Sequence, residues 1–118
     1  ATRFGEENKC DIVLANDPDA DRLAVAERDR STGEWSVFTG DQIGSMLGLW
    51  IWEKIGKDCG KPVSMCGSTV SSKMLAEIAR VEGFHFEDTL TGFKWIGSRA
   101  NELQSTGYRN LFGYEEAI

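Results

Sequence analysis

The first third of the chain alternates short apolar runs with turn-forming residues. Residues 10–15 (CDIVLA), 23–27 (LAVAE) and 35–38 (WSVF) are apolar and partly β-branched, and each predicts a strand. The first of these runs is apolar enough to predict a buried strand. Because residues 31–34 (STGE) are turn formers, we expect the second and third strands to form a hairpin.

Beyond residue 35 the pattern changes to strands separated by helical segments. The longest predicted helix starts at Thr39 or Asp41 and ends at Gly56 or Gly60. Its apolar residues share one face, which predicts that the face is well buried. These residues are Ile43, Met46, Leu47, Trp50 and Ile51, widened by Trp52 and Ile55.

Two more helices and three more strands are expected in the second half. One helix is capped by Ser71 or Ser72 and ends at Gly83, and the other covers residues 95–104. The strands are predicted at residues 61–66, 84–87 and 109–113. The expected fold class is therefore α/β, a mixed, mostly parallel sheet with helices packed on it, preceded by a β-hairpin from a neighbouring domain. The boundary between the two parts is expected near residues 29–35.

Composition narrows the classes of partner. The formal charge of −6 disfavours nucleic acid and anionic membranes, since both require a basic face. The longest apolar run, residues 47–52, is far too short for a membrane span, and no signal peptide is evident. Cys10, Cys59 and Cys66 lack CxxC spacing and are expected to be reduced, mostly buried thiols of a cytoplasmic protein. The two ends of the chain suggest a piece of a longer protein.

The densest cluster of charge is the loop at residues 17–22 (DPDADR). If the loop is extended, Asp17, Asp19 and Asp21 alternate and can point their carboxylates the same way. Carboxylates that close repel one another unless a cation lies between them, and oxygen ligands favour magnesium, calcium or manganese. Three protein ligands leave an octahedral magnesium half-coordinated, which suits a phosphate that Arg22 could also hold. The alternative is a solvated acidic turn.

An EF-hand is excluded by the residues at its fixed positions. Its sixth position requires Gly and its twelfth Glu, whereas Arg22 and Arg28 stand there. Strands rather than helices are also predicted on either side of the loop.

Several loops after predicted strands could bind a ligand or be purely structural. Residues 67–72 (GSTVSS) precede a helix and could bind an anion, although simple capping is favoured. Residues 91–97 (TGFKWIG) combine a flexible glycine, a cation and a flat indole. Glu115 and Glu116 follow the last strand, where ligands of open α/β sheets bind. His85 is expected to be a half-exposed strand residue, and the four tryptophans are expected to be mostly core or face-packing residues.

Three of these segments occur together, in this order, in a known superfamily. Residues 15–22 (ANDPDADR), 91–97 (TGFKWIG) and 113–118 (GYEEAI) resemble the α-D-phosphohexomutases, and most of all their phosphopentomutase-type phosphoglucomutases. Residues 39–44 (TGDQIG) and 69–74 (TVSSKM) strengthen the resemblance.

The resemblance implies an intramolecular phosphotransferase built from four domains. Residues 1–33 would be the C-terminal part of the second domain, with the metal loop, and residues 34–118 the third domain, with sugar-binding loops. A phosphoserine of the first domain would transfer phosphate through a sugar bisphosphate, with Mg²⁺ polarising the phosphate. Because that serine and the fourth domain are outside the chain, we expect the 118 residues alone to be inactive.

The resemblance also implies a role for each matching residue. Asp17, Asp19 and Asp21 would bind Mg²⁺, and Arg22 would contact phosphate, with Asp21 also near the substrate. The remaining sugar-contacting positions would be Thr91, Gly92, Lys94, Glu115 and Ala117. Many glucose- and mannose-specific members have Ser where this chain has Ala117, which puts strict hexose specificity in doubt.

Two other classes of protein stay open at this point. One is a non-catalytic acidic metal-binding or interaction module. The other is an aspartyl-phosphate phosphatase of the D-x-D type, against which the crowded loop between paired strands argues.

Overall fold

The computed structural model describes residues 1–116 and divides them into two units, residues 1–43 and residues 44–116. The first unit contains helix α1 (Thr2–Glu7) and strands β1 (Ile12–Asn16), β2 (Leu23–Arg28) and β3 (Trp35–Val37). The strands form an antiparallel sheet in the order β1-β2-β3, which confirms the predicted hairpin of β2 and β3. β3 thus belongs to the first unit, although the predicted domain boundary precedes it.

The antiparallel sheet has one covered face and one open face. On the covered face, a Cβ added at Gly5 of α1 would lie 2.7 Å from Val13 and 2.6 Å from Trp35, so α1 packs closely there. Ile12 and Leu14 point the other way and are 56% and 65% exposed. The prediction of a buried strand at residues 10–15 is therefore wrong, because alternate residues of a strand face opposite sides and only one side is covered. α1 was not predicted, since six residues are too few to show helical periodicity.

The second unit is a parallel sheet with helices on both faces. Helix α2 (Gly40–Ile51) continues into a π-helical turn (Trp52–Gly56). The elements that follow are β4 (Val63–Ser68), α3 (Met74–Glu82), β5 (His85–Thr89), α4 (Phe93–Ser105) and β6 (Arg109–Tyr114). The strand order is β5-β4-β6, with both pairs parallel. The predicted α/β class, a parallel sheet with helices packed on it, is confirmed.

Two predicted helix ends are confirmed in detail. The Gln42 amide donates to Thr39 Oγ1 at 3.2 Å, and the Thr39 amide donates to Gln42 Oε1 at 2.9 Å. This reciprocal pair is a capping box, so Thr39 caps α2. Gly83 ends α3 in the left-handed conformation, with φ of 91°. Among residues 1–116, no helix is long and apolar enough to cross a membrane.

The central strand β4 is buried along its whole length and supplies both halves of the core. Val63 and Met65 pack with Leu75 of α3 on one face of the sheet. On the other face Cys66 packs with Ile96 of α4. The unit therefore has three layers: α2 and α3, then the sheet, then α4.

Helix α2 approaches the core through glycines as well as through part of its apolar face. A Cβ added at Gly44 would lie 2.4 Å from Tyr114, and one added at Gly48 would lie 2.7 Å from Leu75. Met46, Leu47 and Trp50 are instead 50%, 41% and 54% exposed. The prediction that this apolar face is buried holds for Ile43 and partly for Ile51 and Trp52. It is wrong for Met46, Leu47, Trp50 and Ile55, because the glycines that allow close packing add nothing to an apolar pattern.

Candidate functional site

The acidic loop joins β1 to β2 as a tight turn. Asn16 pairs with Leu23 across the two antiparallel strands, so residues 17–22 must reverse the chain direction. The Ala20 amide donates to the Asp17 carbonyl at 3.0 Å, and Ala20 has φ of 59°. The predicted extended loop is therefore wrong, since an extended segment could not bring the paired strands together.

The turn nevertheless brings the three aspartates together. Asp17, Asp19 and Asp21 each offer a carboxylate oxygen, and these oxygens lie within 4.8 Å of one another. Asp17 is half-buried, whereas Asp19 and Asp21 are exposed. Three convergent carboxylates are the donor set that a hard divalent cation requires, so the residues present fit magnesium.

Arg22 is held against the same carboxylates. Its amide donates to Asp17 Oδ1 at 3.1 Å, and its Nε lies 3.4 Å from Asp17 Oδ2 and 3.7 Å from Asp21 Oδ1. Asn16 Nδ2 donates to the Arg22 carbonyl at 2.8 Å and closes the base of the turn. No role was predicted for Asn16, although an Asn directly before a turn is typical of such a bond.

The pKa values of two of the three carboxyl groups are shifted, in opposite directions. Desolvation of Asp17 is outweighed by the Arg22 amide and by hydrogen bonds with Asp19 and Asp21, so its pKa lies below the ordinary value. The charge of Asp19, followed by desolvation and the charge of Asp17, raises the pKa of Asp21. The neighbouring carboxylates therefore disfavour the charged form of Asp21, whereas the hydrogen bonds to Asp17 favour its charged form.

A second cluster of predicted site residues lies at the C-terminal edge of the parallel sheet. Gly92 follows β5 and Glu115 follows β6, the two strands that flank β4. The Gly92 amide donates to Glu115 Oε1 at 2.8 Å, so the two loops meet beyond the end of β4. Glu115 is half-buried there.

Gly92 adopts a backbone conformation that other residues rarely reach. Its φ of 115° and ψ of 125° place it at the start of α4, where its carbonyl accepts the Trp95 amide at 2.9 Å. Lys94 is exposed, and its Nζ lies 5.1 Å from the centre of the Trp95 ring. Trp95 and Trp50 are 45% and 54% exposed, so neither of these two tryptophans lies in the core. Thr91 is exposed at the same turn, and Ala117 lies outside the described residues.

The remaining candidate features are structural. Ser68 and Ser71 are buried with their hydroxyls 2.8 Å apart, and Ser72 Oγ accepts the Met74 amide. The N-cap position of α3 is Lys73, which makes no side-chain cap bond, so the prediction that Ser71 or Ser72 occupies it is wrong. His85 is half-exposed in β5, as predicted, with Nε2 2.9 Å from Glu87 Oε2.

Comparison with known proteins identifies the family. Residues 39–118 match the model of the phosphoglucomutase/phosphomannomutase family, alpha/beta/alpha domain III. The chain belongs to the phosphoglucomutase/phosphomannomutase family. The predicted α-D-phosphohexomutase resemblance is thereby confirmed.

Curated members of this family are similar along nearly the whole chain. Human phosphopentomutase is 55% identical over 120 residues, and mouse glucose 1,6-bisphosphate synthase is 51% identical over 120. Phosphoribomutase of Saccharomyces cerevisiae is 49% identical over 121 residues. Each match covers 98% of this chain and 19% of the relative, so the chain spans about a fifth of these proteins.

Solved structures agree on the fold. The apo form of N-acetylglucosamine-phosphate mutase, an α-D-phosphohexomutase, matches with a TM-score of 0.65. It covers 98% of this chain and 27% of the other, at 13% identity. At that identity the likeness shows the fold alone.

Proposed function

We propose that this chain is part of a magnesium-dependent phosphosugar mutase, a phosphoglucomutase or phosphopentomutase that moves phosphate within one sugar. The observation that carries the proposal is the convergence of three carboxylates and Arg22 in one turn of a family member. In a solvated acidic turn, nothing would favour three carboxylates within 4.8 Å of one another. Their proximity raises the pKa of Asp21, which means that it disfavours the charged form of this carboxyl group.

The acidic turn would act on the phosphoryl group. Asp17, Asp19 and Asp21 would hold Mg²⁺, which supplies Lewis-acid stabilisation of the charge on a transferring phosphoryl group. Arg22 is positioned by its amide bond to Asp17, and its guanidinium would contact phosphate. The phosphoserine, the sugar bisphosphate intermediate and the remaining domains of the enzyme belong to the same proposal, as does a cytoplasmic location.

The edge of the parallel sheet would bind the sugar. Glu115 Oε1 accepts the Gly92 amide, so Oε2 would accept a sugar hydroxyl. Thr91 and Gly92 would line that position, and the exposed ammonium of Lys94 would attract the anionic substrate. Phosphosugars are the proposed partners, with no role for nucleic acid or membrane.

Both pentose and hexose phosphates are proposed substrates within this class. Human phosphopentomutase and yeast phosphoribomutase are 55% and 49% identical to the chain, and mouse glucose 1,6-bisphosphate synthase is 51% identical. Ala117 replaces the serine of many hexose-specific members, as the sequence resemblance indicates. The proposed division into a second domain, residues 1–33, and a third domain, residues 34–118, follows the same resemblance.

Steady-state turnover of the full-length protein tests the proposal. Ribose 1-phosphate and glucose 1-phosphate should be converted with magnesium and not after its removal by a chelator. Asp19→Asn should abolish this dependence together with most of the activity, whereas the control Asp58→Asn removes an exposed carboxylate elsewhere and should not. Equal activity of Asp19→Asn and wild type would refute the metal assignment. The 118-residue chain alone should show no turnover.

A further inference from the structure

The strand that leads into the Gly92 turn is held by ion pairs on both of its faces. Glu87 and Asp88 are neighbours near the end of β5, so their side chains point to opposite sides of the sheet. On the α3 side, Lys73 Nζ lies 2.9 Å from both oxygens of Asp88. On the α4 side, Arg99 Nε contacts Glu87 Oε1 at 2.5 Å.

Arg99 is the more strongly engaged of the two cations. Arg99 lies in α4, so its bond to Glu87 joins this helix to β5. Its Nη1 also donates to Glu102 within α4. Glu87 is 26% exposed and accepts a further contact from His85, whose ring lies 5.2 Å from Tyr108. Bonds between charged groups of this kind are stronger than neutral ones and are directional.

The contact between Arg99 and Glu87 spans the short connection between β5 and α4. β5 ends at Thr89 and α4 begins at Phe93, so residues 90–92 are the whole connection between the two elements that Arg99 joins. The end of β5 is also held by the residue that follows β4, because the Thr69 amide donates to the Thr89 carbonyl at 2.8 Å. At the other end of this connection, the Gly92 amide donates to Glu115.

We propose that Arg99 is a positioning residue for the sugar site, because it fixes both flanks of residues 90–92 and so aims the Gly92 amide at Glu115. This inference rests on the proposed function, since Thr91, Gly92 and Glu115 are its sugar-contacting residues. A purely structural role would stabilise the unit without affecting how well the sugar is bound.

The test compares three variants of the full-length protein. Arg99→Met keeps an unbranched apolar stem and removes the guanidinium, and Arg99→Lys keeps the charge but not the forked geometry. Arg80→Met is the matched control, because Arg80 pairs with Glu77 within α3 and joins no strand to a helix. Hydrogen exchange of residues 90–92 is measured by mass spectrometry, together with KM, kcat and Tm.

Arg99→Met should speed exchange at residues 90–92 and raise KM for the sugar phosphate roughly fivefold, equivalent to about 1 kcal/mol of binding. The change in kcat should be smaller, because the lost contact is made in ground and transition states alike. Arg99→Lys should restore part of both effects, and Arg80→Met should show neither. The lysine variant keeps the test valid if the methionine variant does not fold.

Two outcomes would overturn the inference. One is a lowered Tm for the Arg99 variants with exchange at residues 90–92 unchanged. The other is a KM that stays equal to that of Arg80→Met. Failure of the proposed function would look different: the wild-type protein itself would not turn over sugar phosphates, and the exchange measurement would still decide whether Arg99 orders the turn.

Discussion

The close packing of α2 on the sheet is tested by a single methyl group at Gly44. Its Cβ in Gly44→Ala would lie 2.4 Å from Tyr114 Cδ2 and 2.5 Å from Cε2, whereas carbon atoms pack at about 3.5–4.0 Å. The ring or the helix must therefore move by about 1 Å. Tyr114 is 8% exposed and stacks on Phe112, so it has little room to swing away.

The expected cost follows from two opposing terms. Overpacking of a core costs about 1–3 kcal/mol, and the better helix propensity of alanine returns about 1 kcal/mol in a helix interior. Gly44→Ala should therefore lower the free energy of unfolding by up to about 2 kcal/mol, measured by urea denaturation and circular dichroism. Because Tyr114 directly precedes Glu115, the shift would also disturb the bond between Glu115 and Gly92.

Gly97→Ala is the matched control within α4. A Cβ there would meet no atom within 4 Å, so only the propensity term applies and the variant should gain up to about 1 kcal/mol. Stability of Gly44→Ala equal to or greater than that of Gly97→Ala would refute the packing argument. So would an equal loss of stability in Gly97→Ala.

Three further predictions concern stability and reactivity. The Arg99 guanidinium holds the pKa of Glu87 below its usual range, so stability from this pair is present above the unfolded-state pKa and is lost as pH falls through the lower folded value. Glu87→Gln should flatten that acid decline in urea denaturation at a series of pH values, and an unaltered decline would contradict the assignment. Cys66 is fully buried, and burial raises the pKa of its thiol. A thiol reagent should therefore label the partly buried Cys10 and Cys59 first and Cys66 only on unfolding. Early labelling of Cys66 would contradict its burial. Thr39→Ala should cost about 0.5–2 kcal/mol by loss of the capping box, with Thr39→Ser close to wild type.

The order of the elements could be predicted because strands and helices here have distinct periodicities and clear end signals. Gly83 ends α3 and Thr39 begins α2 where cap chemistry predicts. Burial could not be predicted equally well. The pattern that assigned Trp50 to the core measures hydrophobicity, whereas the contact surface of α2 is set by Gly44 and Gly48, which carry no hydrophobic side chain.

The candidate site, too, could be predicted from the sequence only in part. Residue type and spacing predict three carboxylates able to converge, and the structure brings them together through a turn that depends on Ala20 and Asn16. Sequence spacing cannot show that Gly92 bonds Glu115, because the two are 23 residues apart and meet only when β5 and β6 flank β4. Nor can it show that Arg99 joins β5 to α4.

We expect the full-length protein to move phosphate within one sugar. Phosphorus NMR of ribose 1-phosphate with the protein and magnesium can show this, because the starting sugar, the rearranged sugar and free phosphate give separate signals. The 1-phosphate signal should be replaced by that of ribose 5-phosphate, without release of inorganic phosphate. Release of inorganic phosphate would indicate a phosphatase instead of a mutase, and an unchanged spectrum would indicate a non-catalytic metal-binding module.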